Sequence, residues 1–209
     1  MQFEPEQLYH IYNRGNNRQR IFFSRENYFF FLQKMRRHLL PHCDILCYCL
    51  MPNHFHFLVS TKTESESPTW SGALADNTAS IHPLSKAIGI LLSSYTRAIQ
   101  KQEERTGSLF QRHTKEKCLT NHNITATTET ANHPFICFNY IHQNPMTAGF
   151  VEKIEDWEFS SFKDYIGHRN GSLCNQTLAI QLIDLPKDTK ELFDQSYQVI
   201  DADRLKGIL

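Results

Sequence analysis

Asp44-Ile45-Leu46-Cys47-Tyr48-Cys49-Leu50-Met51-Pro52-Asn53-His54-Phe55-His56-Phe57-Leu58-Val59-Ser60 reads as two β-strands joined by a tight turn. The first, from Asp44 to Leu50, is apolar almost throughout, as a strand covered on both faces would be. The second, from His54 to Ser60, opens with strict alternation, His-Phe-His-Phe, which is the period of a strand with two chemically distinct faces. Met51-Pro52-Asn53 supplies the turn. Working outward, Leu8 to Asn13 is rich in β-formers and ends at the turn signal Arg14-Gly15-Asn16-Asn17. A helix is expected from Arg25 to Leu40, with Ser24 as its N-cap and an aromatic run, Tyr28 to Phe31, larger than one buried stripe requires. Beyond the hairpin, Leu84 to about Gln102 has helical spacing at Ile88, Leu91, Leu92, Tyr95 and Ile99. Gly107 breaks it, a strand is expected over Ser108 to Leu119, and a last main helix runs from about Pro134 until Pro145 stops it. Strand, helix, two strands, helix, strand, helix predicts an α+β fold: a ferredoxin-like antiparallel sheet with helices on one side. Residues 61–82 and 121–131 are polar and aperiodic, and read as loops. The domain is taken as residues 1–167, with 168–209 as a C-terminal extension.

The bulk properties suit that reading. The chain has 209 residues, 40% of them hydrophobic, enough for one compact domain. No stretch approaches the roughly 20 apolar residues of a membrane span, and the start, Met1-Gln2-Phe3-Glu4-Pro5-Glu6, lacks the basic-then-apolar pattern of a signal peptide. Six cysteines without a CxxC pair point to buried thiols in a reducing compartment. A cytoplasmic protein is expected, so the Asn-x-Ser/Thr triplets at Asn123, Asn170 and Asn175 carry no weight. Net charge is zero but unevenly spread: seven Lys/Arg against three Asp/Glu in residues 1–40, the same in 83–120, and seven against eleven in 150–209. Two basic stretches can make a phosphate-binding face on a neutral protein.

His54 and His56 point to one face of their strand, while Phe55 and Phe57 take the other. Two such imidazoles can hold one divalent ion and leave positions open for water or a phosphate oxygen. An HxH pair is a weak signal alone in a chain with eleven histidines. The second signal is Phe138-Asn139-Tyr140-Ile141-His142-Gln143-Asn144-Pro145. On a helix Tyr140 and Asn144 share a face at i, i+4, with Gln143 close by at i+3. Backbone carbonyls without partners at the helix C-terminus favour a nearby cation. Taken apart from the histidines, Tyr140 is a core tyrosine on a helix that ends at proline.

Together, Leu50-Met-Pro-Asn-His-Phe-His-Phe-Leu-Val59 and Tyr140-Ile-His-Gln-Asn-Pro-Met-Thr-Ala-Gly149 resemble the single-tyrosine HUH transposases, and within them the REP-associated tyrosine transposases. His10-Ile-Tyr-Asn-Arg-Gly15, Gly107-Ser-Leu-Phe-Gln111 and Trp157-Glu-Phe-Ser-Ser-Phe-Lys-Asp-Tyr165 fit the same pattern in the same order, so the likeness spans roughly residues 7–167. It implies an HUH strand in a ferredoxin-like sheet, one catalytic tyrosine on a C-terminal helix, here Tyr140, and a metal ligand one turn later, here Asn144. Asn144 is favoured over Gln143 by a narrow margin.

The chemistry so implied is transesterification of single-stranded or hairpin DNA, with Mg2+ or Mn2+ held by His54, His56 and Asn144 and with Tyr140 forming a 5′-phosphotyrosine. Tyr95 is the rival nucleophile, but falls in the apolar spacing of its helix. Arg14, Arg18 and Arg20 around the first turn, Arg36 and Arg37 at the end of the first helix, and Arg97, Lys101, Arg112 and Lys115 in the second basic stretch are the candidate phosphate contacts. The pattern leaves open monomer or homodimer. Three other readings stand beside it: a catalytically silent DNA- or RNA-binding regulator of the same fold, a rolling-circle-type nickase, and an unrelated metal-dependent hydrolase.

Overall fold

The computed structural model describes residues 1–63, 82–120 and 132–209. Most of the predicted loop 61–82 and all of 121–131 therefore lie outside the described residues; Thr61 ends a strand and His82 caps a helix.

Strands β1 (Leu8–Arg14), β2 (Cys43–Met51), β3 (His54–Thr61) and β4 (Lys115–Cys118) form one sheet in the order β2-β3-β1-β4, with antiparallel neighbours throughout. Helix α1 (Arg25–His38) joins β1 to β2, and α2 (Pro83–Gln102) lies between β3 and β4 in the chain. This is the ferredoxin-like order expected from the element pattern. The β2–β3 turn is two residues long, Met51 pairing with His54 across Pro52-Asn53. Its carbonyls are bound from outside: Ile21 and Phe22 donate to Pro52 O, and Gly15 donates to Asn53 O at 2.8 Å. Helix α1 starts where Asn27 reaches back, its Oδ1 accepting from Ser24 N at 3.1 Å, so two backbone donors at the helix start are satisfied.

The sheet has two buried faces. Tyr9, Ile11, Ile45, Tyr48, Leu50, Phe55, Phe57 and Val59 pack under α1 and α2 with Phe31, Met35, Leu91 and Tyr95. Of the aromatic run, Tyr28 and Phe31 belong to this core, whereas Phe29 and Phe30 are exposed, each beneath a cation, Arg25 and Lys34 respectively. Leu8, Leu46, Cys47, Cys49, Met51 and Leu58 face the other way. A register shift between Ile45 and Cys47 explains why β2 changes parity: Leu46 and Cys47, adjacent in sequence, both enter the second core.

Helix α3 (His133–Thr147) covers that second face through Ile136, Cys137, Phe138 and Ile141. The expectation of helices on one side thus holds for α1 and α2, while the tyrosine helix takes the opposite side. Pro145 does not stop α3. It lies inside the helix, which runs two residues further to Thr147 before the chain turns at Gly149 (φ +72°), with Gly149 N donating to Met146 O and Phe150 N to Pro145 O. Likewise the strand expected over 108–119 is confined to Lys115–Cys118. Gly107 (φ +88°) turns the chain, Leu109 and Phe110 plug the first core, and Gln111 N donates to the carbonyl of Arg14, the last residue of β1.

Four short helices follow: α4 (Phe162–Tyr165), α5 (Gln176–Ile183), α6 (Thr189–Ser196) and α7 (Ala202–Leu205). Residues 168–209 contribute Ala179, Ile183, Leu185, Leu192 and Ile208 to the core beneath α3. Arg169 ties this region to the sheet, donating to both carboxylate oxygens of Asp164 and to the Glu158 and Ser160 carbonyls. Among the described residues no helix is long and apolar enough to cross a membrane, and the six cysteines are free, four of them buried.

Candidate functional site

His54 and His56 stand on the α3 side of β3, paired across the sheet with Arg14 and Tyr12 of β1. Their ring centroids are 5.1 Å apart, and the Tyr140 ring meets His56 edge-on at 5.4 Å. Asn144, one helical turn after Tyr140, donates from Nδ2 to Tyr140 O at 2.7 Å, and its side chain lies close enough to His54 and Tyr140 to raise the pKa of the first and lower that of the second. The four residues picked from two distant motifs therefore meet at one place.

The histidines are oriented by their second nitrogens. His54 Nδ1 lies 2.6 Å from Asn53 Oδ1, and His56 Nδ1 lies 2.9 Å from Nε2 of His10. An amide oxygen only accepts, so His54 carries its hydrogen on Nδ1 and keeps a lone pair on Nε2. Burial, with Arg14 nearby, lowers the His54 pKa from 6.5 to about 4; burial and the neighbouring His10, His54 and Arg14 lower that of His56 well below 6.5. Both imidazoles are neutral at pH 7, the form that binds metal. Two neutral imidazoles and an adjacent amide suit a divalent ion with open positions. Among the described residues no group of three His, Cys, Asp or Glu side chains is arranged to hold a metal ion, and the polar side chain beside His54 and His56 is the Asn144 amide.

Around them is a cavity of about 380 Å³, lined also by Tyr12, Arg14, Arg18, His113 and Lys115. Arg14 Nε is buried and, among the described residues, has no hydrogen-bond partner. An orphaned guanidinium donor beside neutral imidazoles is a ready anion site. Burial raises the Tyr140 pKa above 10, while Asn144 and Arg14 pull it down. The phenol is protonated at neutral pH and needs help to become a nucleophile.

The remaining candidates separate cleanly. Gln143 points away: its Nε2 donates to Ser196 O and Gln198 O at 2.8 and 2.9 Å. His142 is fully buried against Phe138, with Nε2 2.8 Å from Ser161 Oγ. Tyr95 is buried in the first core, donating to Ile21 O at 2.7 Å. Of nine basic candidates, Arg14, Arg18 and Lys115 line the cavity, and Arg112 lines a neighbouring one that shares Asn13, Gln111 and His113. Arg20 lies near Tyr28 on the α1 side. Arg36 donates to Ser172, Arg37 and Arg97 flank Lys34, and Lys101 is in α2; these four belong to the helices of the other sheet face. Sequence reasoning missed His10, Tyr12, Asn53 and His113. The alternation His10-x-Tyr12-x-Arg14 on β1 was the available signal for the first two, since it faces the same way as the histidines of β3.

No family model matches the chain. It is 27% identical over 128 residues to a protein of Haemophilus influenzae given the name REP-associated tyrosine transposase, a match covering 57% of this chain; the chain spans about 58% of that relative's length. A solved structure described as a REP-associated tyrosine transposase bound to a REP hairpin superposes with a TM-score of 0.51, covering 96% of this chain and 97% of that one at 18% identity, a likeness of fold.

Proposed function

We propose that this chain is a DNA strand transferase of the REP-associated tyrosine transposase kind, cutting single-stranded DNA beside a hairpin through a covalent Tyr140 intermediate. The observation that carries the reading is the convergence of Tyr140 and Asn144 on two histidines whose Nδ1 atoms are already engaged. The hairpin substrate is taken from the DNA named with the structural relative.

In this reading His54, His56 and Asn144 hold Mg2+ or Mn2+, which when bound supplies Lewis-acid stabilisation of charge on the phosphate oxygens. Arg14 donates to a non-bridging oxygen of the scissile phosphate, since its Nε has no hydrogen-bond partner among the described residues. Arg18 and Lys115 hold the flanking phosphates, and the Tyr12 ring, stacked on His10 and lying under Lys115 Nζ at 5.7 Å, forms the floor. Tyr140 Oη bonds to phosphorus as the bond to the 3′-oxygen breaks. The phenol proton leaves, the departing 3′-oxygen gains a proton, and the 5′-phosphate stays on the tyrosine. One phosphoester replaces another, so a different 3′-hydroxyl can reverse the step and join a new end. His54, His56, Asn144, Arg14 and Tyr140 come from β1, β3 and α3, elements fixed by buried cores on both sheet faces.

Incubation with a hairpin bearing a single-stranded flank and Mn2+, followed by denaturing electrophoresis, tests the reading. A protein–DNA adduct is expected from the wild type and not from Tyr140→Phe. Hairpin binding without an adduct would instead favour a silent regulator, and cleavage without an adduct a hydrolase.

A further inference from the structure

His10 is fully buried and takes no part in the reaction just described, yet it joins two distant parts of the molecule. Its Nδ1 lies 2.6 Å from the carbonyl oxygen of Ile208, and its Nε2 lies 2.9 Å from His56 Nδ1. A carbonyl only accepts, so the hydrogen of His10 is on Nδ1. A neutral imidazole carries a single hydrogen, and here the Ile208 carbonyl holds it on Nδ1. Its Nε2 is then a bare acceptor, and the hydrogen between the rings belongs to His56 Nδ1. His56 is left with a lone pair on Nε2. A backbone carbonyl has no tautomers, so the order of donors along this chain has one solution.

The end that sets this order is itself docked. Ile208 is buried in the core beneath α3, and Ile208 N and Leu209 N both donate to Leu205 O. Gly207 passes so close to the start of α3 that an added Cβ would sit 2.6 Å from His133 Nε2. We propose that His10, anchored by the Ile208 carbonyl, is a positioning residue that holds His56 in the tautomer able to bind a divalent cation, and that docking of the C-terminal segment thereby sets the metal affinity of the site. The inference rests on the reading of the His54–His56–Asn144 site above. Outer partners of ligating histidines commonly matter at the level of 10- to 100-fold in metal affinity.

The test is side-chain 15N NMR of the metal-free protein, combined with Mn2+ titration by calorimetry. Wild-type His56 is expected to be protonated on Nδ1. His10→Phe should leave His56 a mixture of tautomers and weaken Mn2+ binding by about 10- to 100-fold. His10→Gln, which offers an acceptor oxygen near the lost Nε2, should restore most of both. Ile208→Asp, which puts a charge into the core beneath α3, should act in the same direction as His10→Phe with every ring partner in place. Metal-free wild type with His56 protonated on Nε2 overturns the inference, whether or not the variants fold. A folded His10→Phe with wild-type affinity and an unchanged His56 signal also overturns it. The wild-type adduct assay keeps the two readings apart. His56 protonated on Nδ1 and Mn2+ bound, with no adduct, removes the nuclease and leaves this relay standing; an adduct with the opposite tautomer does the reverse.

Discussion

Acid should unfold this protein unusually early, and His142 allows the cause to be isolated. Burial lowers the pKa of His10 from 6.5 to about 4 and that of His142 from 6.5 to about 3. Both folded values lie below the unfolded one, so above pH 6.5 neither state binds the proton and nothing is lost. As pH falls from 6.5 toward 4, the unfolded chain takes up protons that the native state refuses, and stability declines. At pH 5 each such histidine costs about 2 kcal/mol, from 1.36 kcal/mol per pKa unit over the 1.5 units below 6.5. His10 and His142 together give about 4 kcal/mol, before the buried His54 and His56 add theirs, a large share of the 5–15 kcal/mol typical of a domain. Urea titrations followed by circular dichroism, with EDTA present so that bound metal does not compete for His54 and His56, measure the difference between pH 7 and pH 5. His142→Phe keeps the ring among Phe138, Phe162 and Tyr165 and gives up one bond to Ser161. Its pH 7 to pH 5 loss should be smaller than the wild type's by about 2 kcal/mol. Equal losses in wild type and variant, or a wild type equally stable at both pH values, would refute the argument.

Further outcomes follow from the same geometry. Asn144→Ala should weaken Mn2+ binding and adduct formation at least about tenfold, whereas Gln143→Ala should keep adduct formation and lose about 1–3 kcal/mol of stability, because the Ser196 and Gln198 carbonyls lose their donor. In salt titrations of hairpin binding, Arg14→Ala should flatten the slope of log affinity on log salt by about 0.7, the value for one single-strand phosphate contact, and Arg97→Ala should leave it unchanged. Tyr95→Phe should still form the adduct while losing about 1 kcal/mol, its hydroxyl being a buried donor to Ile21. Gly149→Ala should cost about 1–2 kcal/mol by chemical denaturation, since an L-residue is strained at φ +72°.

How far the sequence could be read depended on whether a feature was periodic. His54 and His56 share a face because strands repeat every two residues, and Tyr140 and Asn144 because helices repeat every three to four; both inferences needed nothing beyond their own segment. The strand order followed from the alternation of element types. Pro145 misled because a proline without its N–H forfeits one helical bond, and the buried face of α3 tolerates that until Gly149 supplies the true end. The register shift at Leu46 was invisible because β2 is apolar on both sides, so no parity change shows in its composition. The basic residues gave a count of charges and no faces. Arg37 and Arg97 are as cationic as Arg14, and only the packing of α1 and α2 on the far side of the sheet separates them. His10 lay in a quoted motif, but its partner is Ile208, 198 residues away, and no local pattern reports such a distance.

Asn53, the second residue of the β2–β3 turn, accepts from His54 at its Oδ1, donates from Nδ2 to Arg18 O at 3.3 Å, and receives Gly15 N on its carbonyl. One amide thus latches the arginine-bearing turn to the histidine strand. A nucleic acid strand that pulls on Arg14 or Arg18 loads the same joint that aims His54, so the two cannot be engineered independently. Grafting a different arginine turn onto this scaffold to change the target would detune the histidine unless Asn53 kept all three of its bonds.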